Sequence, residues 1–171
     1  MQEKNYAYID WQNLFLWIKS DNENWIIDYK KFRIYLKDKY KVEKAFYFLW
    51  YSKEENKSMY KDLEDAGFII IFKEQKIDSV SKKKWNIDSD LIFHVMKEII
   101  INKNFDKIVL VSWDWDFKIL VNFLIEQNKF KKILFPSKKF TSSLYKSLSI
   151  KYKSYIIDAK KKIEYKKRWA S

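Results

Sequence analysis

Residues 107–128 read KIVLVSWDWDFKILVNFLIEQN. The first part, KIVLVS, is apolar and rich in β-branched residues, the composition of a strand buried in a sheet. From Phe117 to Asn128 the pattern becomes that of a helix. Between them come Ser112 and two aspartates, Asp114 and Asp116, alternating with two tryptophans, Trp113 and Trp115. Strand, turn and helix in succession make the unit from which parallel sheets are built. A strand that ends in clustered carboxylates is also a candidate metal site. Two of the bulkiest side chains at a tight turn call for an explanation of their own.

The same unit recurs along the chain. Strands are expected at 6–10, 43–51, 68–72, 107–112, 131–135 and 153–158. The segment 28–40 reads as a helix, with Phe32, Tyr35, Leu36 and Tyr40 near helical spacing and Asp28 as its N-cap. A second helix, 53–67, is closed by Gly67 at a C′ position. A third, 87–101, puts Leu91, Val95 and Ile99 on one face. The polar, basic stretch 73–86 reads as a loop, and 141–149, after Pro136, as a short helix starting near Thr141 or Ser142. Strands separated by helices argue an α/β, three-layer fold with a central parallel sheet flanked by helices. No repeat, linker or second domain is visible, so residues 1–171 are read as one domain with a basic C-terminal helix or tail from about 159.

Composition narrows the chemistry. The chain has 35 Lys+Arg against 23 Asp+Glu, a net charge of +12. That excess favours a polyanionic partner, nucleic acid before anionic membrane. Only two of the cations, Arg33 and Arg168, are arginines, and a lysine-rich surface also serves plain solubility. With no cysteine there is neither a disulfide framework nor a thiolate metal site. No run of 18 apolar residues is present and the N-terminus lacks a signal-peptide layout, so a cytoplasmic protein without membrane attachment is expected.

The acids carry the functional reading. In an open parallel sheet, ligands gather at the carboxyl ends of the strands, near the switch point. Asp10 ends the first strand, Asp114 and Asp116 follow the fourth, and Asp88 and Asp90 open the helix before it. If the first and fourth strands are neighbours, three segments bring carboxylates to one place. Clustered carboxylates repel unless a cation joins them. Oxygen donors with open water positions suit Mg²⁺ or Mn²⁺, ions that promote phosphodiester cleavage. A lone Asp at a strand end is more often a cap or turn former, and a solvated turn fits Asp-Trp-Asp alone equally well. Asn13 can steady an Asp or cap the following helix, and Ser112 can orient an Asp or close the turn. His94, the sole histidine, falls mid-helix, where packing or solvent exposure is the simpler reading.

YAYIDWQNLF, KWNIDSDLIFHVM and VLVSWDWDFKILVNFL together resemble the NYN-domain branch of the PIN-like nucleases, which includes LabA-like proteins. That family's pattern is a strand ending Asp-Gly-x-Asn, then Lys-Gly-Asn-x-Asp at a helix start, then Ser-Gly-Asp-Gly-Asp-Phe after a strand. AFYFLWYSKEENKSMYKDLEDAGFIIIFK and FPSKKFTSSLYKSL are similar to further segments of the domain, in order. The resemblance implies a PIN-like, Rossmann-like fold and a metal-dependent ribonuclease acting on RNA, an endoribonuclease using Mg²⁺ or Mn²⁺. By matching position it makes Asp10, Asp88, Asp114 and Asp116 the metal-binding catalytic acids and Asn13 the site amide, with Ser112 and Asp90 in support. Lys82, Lys83, Lys84, Lys138 and Lys139 are candidate phosphate guides or simply solvated cations. A homodimer is compatible with the family's habit. The alternative is a non-catalytic RNA-binding or regulatory NYN protein; a phosphatase or nucleotide hydrolase using the same acids is a third class.

The departures share one form. Where the family pattern has Gly, this chain has Trp at 11, 85, 113 and 115, and Trp50 stands where Gly usually follows the second strand. An average composition would supply about 12 glycines; this chain has one, Gly67, and eight tryptophans. One cause explains both: a gene that reads UGA as Gly, translated by the table that reads it as Trp. On that reading most of Trp11, Trp50, Trp85, Trp113 and Trp115 are Gly in the native protein, Trp17 and Trp169 stand where Gly would be natural, and Trp25 is left as a true Trp or undecided. If Trp does occupy the active-site turns, it takes positive φ at a cost, crowds the phosphate path, and offers a face to nucleobases.

Overall fold

The computed structural model describes residues 3–10, 25–49, 54–72, 87–102, 104–137 and 143–166. Six parallel strands form one sheet: β1 (Asn5–Asp10), β2 (Val42–Leu49), β3 (Ile69–Phe72), β4 (Ile108–Val111), β5 (Phe130–Phe135) and β6 (Lys153–Tyr155). Their order, β3-β2-β1-β4-β5-β6, is doubly wound, and the chain reverses direction across the sheet between β1 and β4. Among the described residues the helices are α1 (Tyr29–Tyr40), α2 (Lys57–Asp65), α3 (Ile87–Ile101), α4 (Lys118–Glu126) and the single turn α5 (Lys160–Ile163). This is the expected three-layer α/β arrangement.

Strand alternation builds two cores. Ala7 and Ile9 of β1 pack with Phe32, Leu36 and Leu63 on one face, the side of α1 and α2. Tyr6 and Tyr8 point the other way, to Leu91, Val95, Phe117, Leu120 and Leu124, the side of α3 and α4. Every residue of β1 is buried, as expected for a central strand covered on both faces. The outer strand β3 is partly exposed instead.

Local chemistry sets the helix ends. Asp28 caps α1 by accepting the Lys31 N–H at 3.1 Å. Helix α2 closes with the Gly67 N–H on the Glu64 carbonyl at 2.9 Å and the Phe68 N–H on the Leu63 carbonyl at 3.1 Å. Those two bonds form a Schellman motif, and Gly67 holds φ +88° at its C′ position. A Cβ on Gly67 would meet only Arg33 side-chain atoms, at 3.8 and 3.9 Å, so space is available and only the backbone resists. Gly67→Ala is therefore expected to cost about 1–2 kcal/mol, read by urea unfolding.

Two stretches differ from the sequence reading. In the expected helix 141–149, the described residues 143–149 form only a 3₁₀ turn, Ser143–Tyr145, followed by irregular turns, with Tyr145 buried in the α3/α4 core. The expected strand 153–158 stops at Tyr155 and gives way to a 3₁₀ turn at Ile157–Ala159. The described part of the basic C-terminal segment, 159–166, makes the turn α5 and then pairs back on the chain: the Asp28 N–H reaches the Ile163 carbonyl at 2.8 Å, and the Tyr165 N–H reaches the Ile26 carbonyl at 2.8 Å. Ile163 is buried, which anchors the turn while Lys161 and Lys162 face solvent. Among the described residues, no helix is long and apolar enough to cross a membrane.

Candidate metal centre

The switch point brings the acids together. Strands β1 and β4 are hydrogen-bonded neighbours with Ile9 opposite Val111, so Asp10 and Ser112 emerge side by side at the carboxyl edge of the sheet. Both are buried, each 2 % exposed. Ser112 joins them to the turn: its hydroxyl donates to Asp10 Oδ2 at 3.3 Å and accepts the Asp114 N–H at 3.1 Å. Asp114 in turn accepts the Asp116 N–H on Oδ1 at 3.0 Å, capping a 3₁₀ turn at Trp115–Phe117 that leads into α4. Phe117, fully buried, pins that turn to the α3/α4 core.

The third segment is the first turn of α3. Asp88 lies three residues before Leu91 and seven before Val95, so it shares the helix face that packs on the sheet. Asp88, Asp114 and Asp116 each place one carboxylate oxygen within 4.8 Å of the others. At that spacing two like charges repel by about 1 kcal/mol in water and about 3 kcal/mol at an effective dielectric near 20. The positive end of α3 eases the load on Asp88. A partly exposed, oxygen-only donor set of this kind fits a hard divalent cation. Asp10 stands outside this triplet, linked to it through Ser112. Asp90 is exposed and also outside it. Asn13, Lys82, Lys83, Lys84, Lys138 and Lys139 lie outside the described residues, as do Trp11, Trp17, Trp50, Trp85 and Trp169.

Two contributors were not found from sequence. Tyr145 donates its hydroxyl to the Asp114 carbonyl at 2.8 Å, fastening the acidic turn from 31 residues downstream. Burial, and then the charges of Asp114 and Asp116, push its phenol well above the ordinary range, so it stays protonated and remains a donor. The second is a groove of about 400 Å³ shared by Asp88 and Asp116 and walled by the first turns of α3 and α4.

The other singled-out residues have plainer surroundings. His94 packs among the rings of Tyr8, Phe46 and Phe48, with centroids 5.7, 4.8 and 5.7 Å away. Burial lowers its pKa, so it is a neutral packing residue. Trp25 is buried in the α1/α2 core. Trp113 packs partly against both cores, whereas Trp115 is 58 % exposed. Neither Trp113 nor Trp115 has positive φ; the non-glycine residues that do, among the described residues, are Lys41 and Asn128. The turn gets by without a left-handed residue because Asp114 is extended, at φ −68° and ψ 131°, and the 3₁₀ turn follows directly.

No curated protein matches the chain. A crystal structure of a protein of unknown function from Vibrio parahaemolyticus shares its fold, with a TM-score of 0.71 and 22 % identity over 96 % of this chain and 100 % of that one. Residues 6–154 match the model of the NYN domain. This span runs from β1 through β6 and takes in all of the acids, and the chain belongs to the NYN domain family.

Proposed function

We propose that the protein is a metal-dependent ribonuclease that hydrolyses RNA phosphodiester bonds endonucleolytically, in the cytoplasm. The observation that carries this reading is the convergence of Asp88, Asp114 and Asp116 within 4.8 Å at the switch point of an NYN fold. These three carboxylates would hold Mg²⁺ or Mn²⁺. Such a cation, when bound, lowers the pKa of water and offsets charge on the phosphodiester. The chain's own residues do the positioning. Asp10 and Ser112 hold the turn by the hydrogen bonds described, and Tyr145 holds it from the other side. Lys118, at the start of α4 beside Asp116, is placed to attract the RNA backbone. Lys82, Lys83, Lys84, Lys138 and Lys139 extend that attraction on this reading.

The second reading, an RNA-binding protein without cleavage, is favoured by the exposed indole of Trp115 beside the acids. An assay on labelled single-stranded and hairpin RNA separates the two. Cleavage in Mg²⁺ or Mn²⁺ that stops with EDTA is expected. RNA retained intact in every metal would favour the binder. Hydrolysis of small phosphate esters without RNA cleavage would contradict both.

A further inference from the structure

The two edges of the sheet are built differently. At one edge, β6 is three residues long and carries Lys153, whose carbonyl accepts from the Lys132 ammonium at 3.2 Å. Short strands and lysines are usual guards against pairing with another chain. At the other edge, β3 reads Ile69-Ile70-Ile71-Phe72, with no charge, proline or glycine. Among the described residues its ladder is with β2 alone, so the outer row of N–H and C=O groups is open. Ile69 and Phe72 are 41 % and 38 % exposed, one on each face. Ile69 lies opposite Phe46 on the α3 side, and Phe72 opposite Leu49 on the α2 side.

Helix α2 flanks this edge. Tyr60 meets Phe72 edge-on, with ring centroids 5.1 Å apart, so the flank of α2 that bears Tyr60 lies along the open edge. Lys57 and Glu64 stand three residues before and four after Tyr60, and Lys61 stands four and three residues from them, so all share that flank. All three are exposed. Lys57 is paired with Glu54, whereas Lys61 and Glu64 have no ionic partner among the described residues. A cation one turn ahead of an acid along a helix is self-complementary when two such helices run antiparallel. Residues 54–72 hold five acids and two lysines in a chain of net charge +12, so RNA or an anionic membrane is repelled from this edge. What fits is an apolar strand running the other way with the same charged helix behind it, and a second copy of this chain supplies both.

We propose that β3 pairs antiparallel with β3 of a second copy, about a twofold axis perpendicular to the sheet, joining two six-stranded sheets into one. Such an axis keeps the faces matched. Ile69 and Ile71 of both copies line the α3 side, Ile70 and Phe72 the α2 side, and cross-strand pairs of β-branched and aromatic residues are favourable. Lys61 of each copy comes toward Glu64 of the other. Because the strands run in opposite directions across the joint, the two acidic turns open on opposite rims. Each acidic cluster is then complete within one copy, and breaking the dimer leaves it intact.

The test reads the mass of the full chain by sedimentation equilibrium over a concentration series, with hydrogen exchange of residues 69–72 followed in parallel. A dimer is expected, and amide protection in β3 should rise with concentration. Ile69→Lys, which brings two like charges together at the joint, should weaken dimerisation by about tenfold or more. Lys61→Glu and Glu64→Lys should each weaken it by about fivefold, a rim-charge effect. The two changes in one chain should restore it, because the pair is rebuilt with its signs exchanged. Circular dichroism checks that every chain is folded, and Mn²⁺ bound per chain should be the same in Ile69→Lys as in the unaltered protein. A chain that stays monomeric overturns the proposal, whether its β3 amides exchange freely or are protected by the chain's own backbone. A dimer that Ile69→Lys and the charge variants leave unchanged is joined elsewhere and overturns it as well.

Discussion

Asp114→Asn is expected to reduce RNA cleavage by on the order of 100-fold or more while RNA binding in EDTA is kept. Asn caps a helical turn as well as Asp does, so the Asp116 N–H still finds an acceptor and the turn keeps its shape. What the substitution removes is one negative charge from a cluster whose oxygens lie within 4.8 Å of one another. Losing a group that merely orients a metal ligand commonly costs about 10–100-fold, so losing a ligand charge should cost at least the upper end. Rates in Mn²⁺ and melting curves read the two consequences separately. A chain that melts normally and cleaves normally after this change would place the chemistry elsewhere.

Phe117→Ala is the largest expected stability effect. Phe117 is fully buried in the α3/α4 core, directly after Asp116 and directly before α4. Removing a buried phenyl ring costs about 3–5 kcal/mol, a large part of the 5–15 kcal/mol that holds a domain of this size. Urea unfolding should show the midpoint fall with little change in slope. Cleavage should fall as well, because the ring pins the turn that carries Asp114 and Asp116. An unchanged midpoint would mean that the ring is not a core residue.

The sequence carried the sheet and the placement of the acids, since both follow from strand-helix alternation and from the switch-point rule. With β1 and β4 adjacent, Asp88, Asp114 and Asp116 lie together, and Asp10 is tied through Ser112 to the turn that carries Asp114. Contacts made across long stretches of chain were not legible. Nothing local in the segment around Tyr145 says that its hydroxyl will hold the Asp114 carbonyl, and nothing in KKKIEY says that Ile163 will be buried while the backbone pairs with residues 26 to 28. The tryptophans show the reverse error. Trp113 and Trp115 stand where the family has Gly, which suggested positive φ, yet an extended Asp114 followed by a 3₁₀ turn removes that need. Codons remain the direct check on decoding: UGA at Trp11, Trp50, Trp85, Trp113 and Trp115 supports Gly in the native protein, and UGG excludes it.

The central claim is that acids from two separate elements share one cation, and Mn²⁺ binding followed by electron paramagnetic resonance measures this without any turnover. One Mn²⁺ per chain is expected for the unaltered protein, with affinity weakened by about tenfold or more in Asp88→Asn, because α3 contributes its ligand independently of the turn after β4. Equal Mn²⁺ affinity in both chains, or no binding in either, would contradict it.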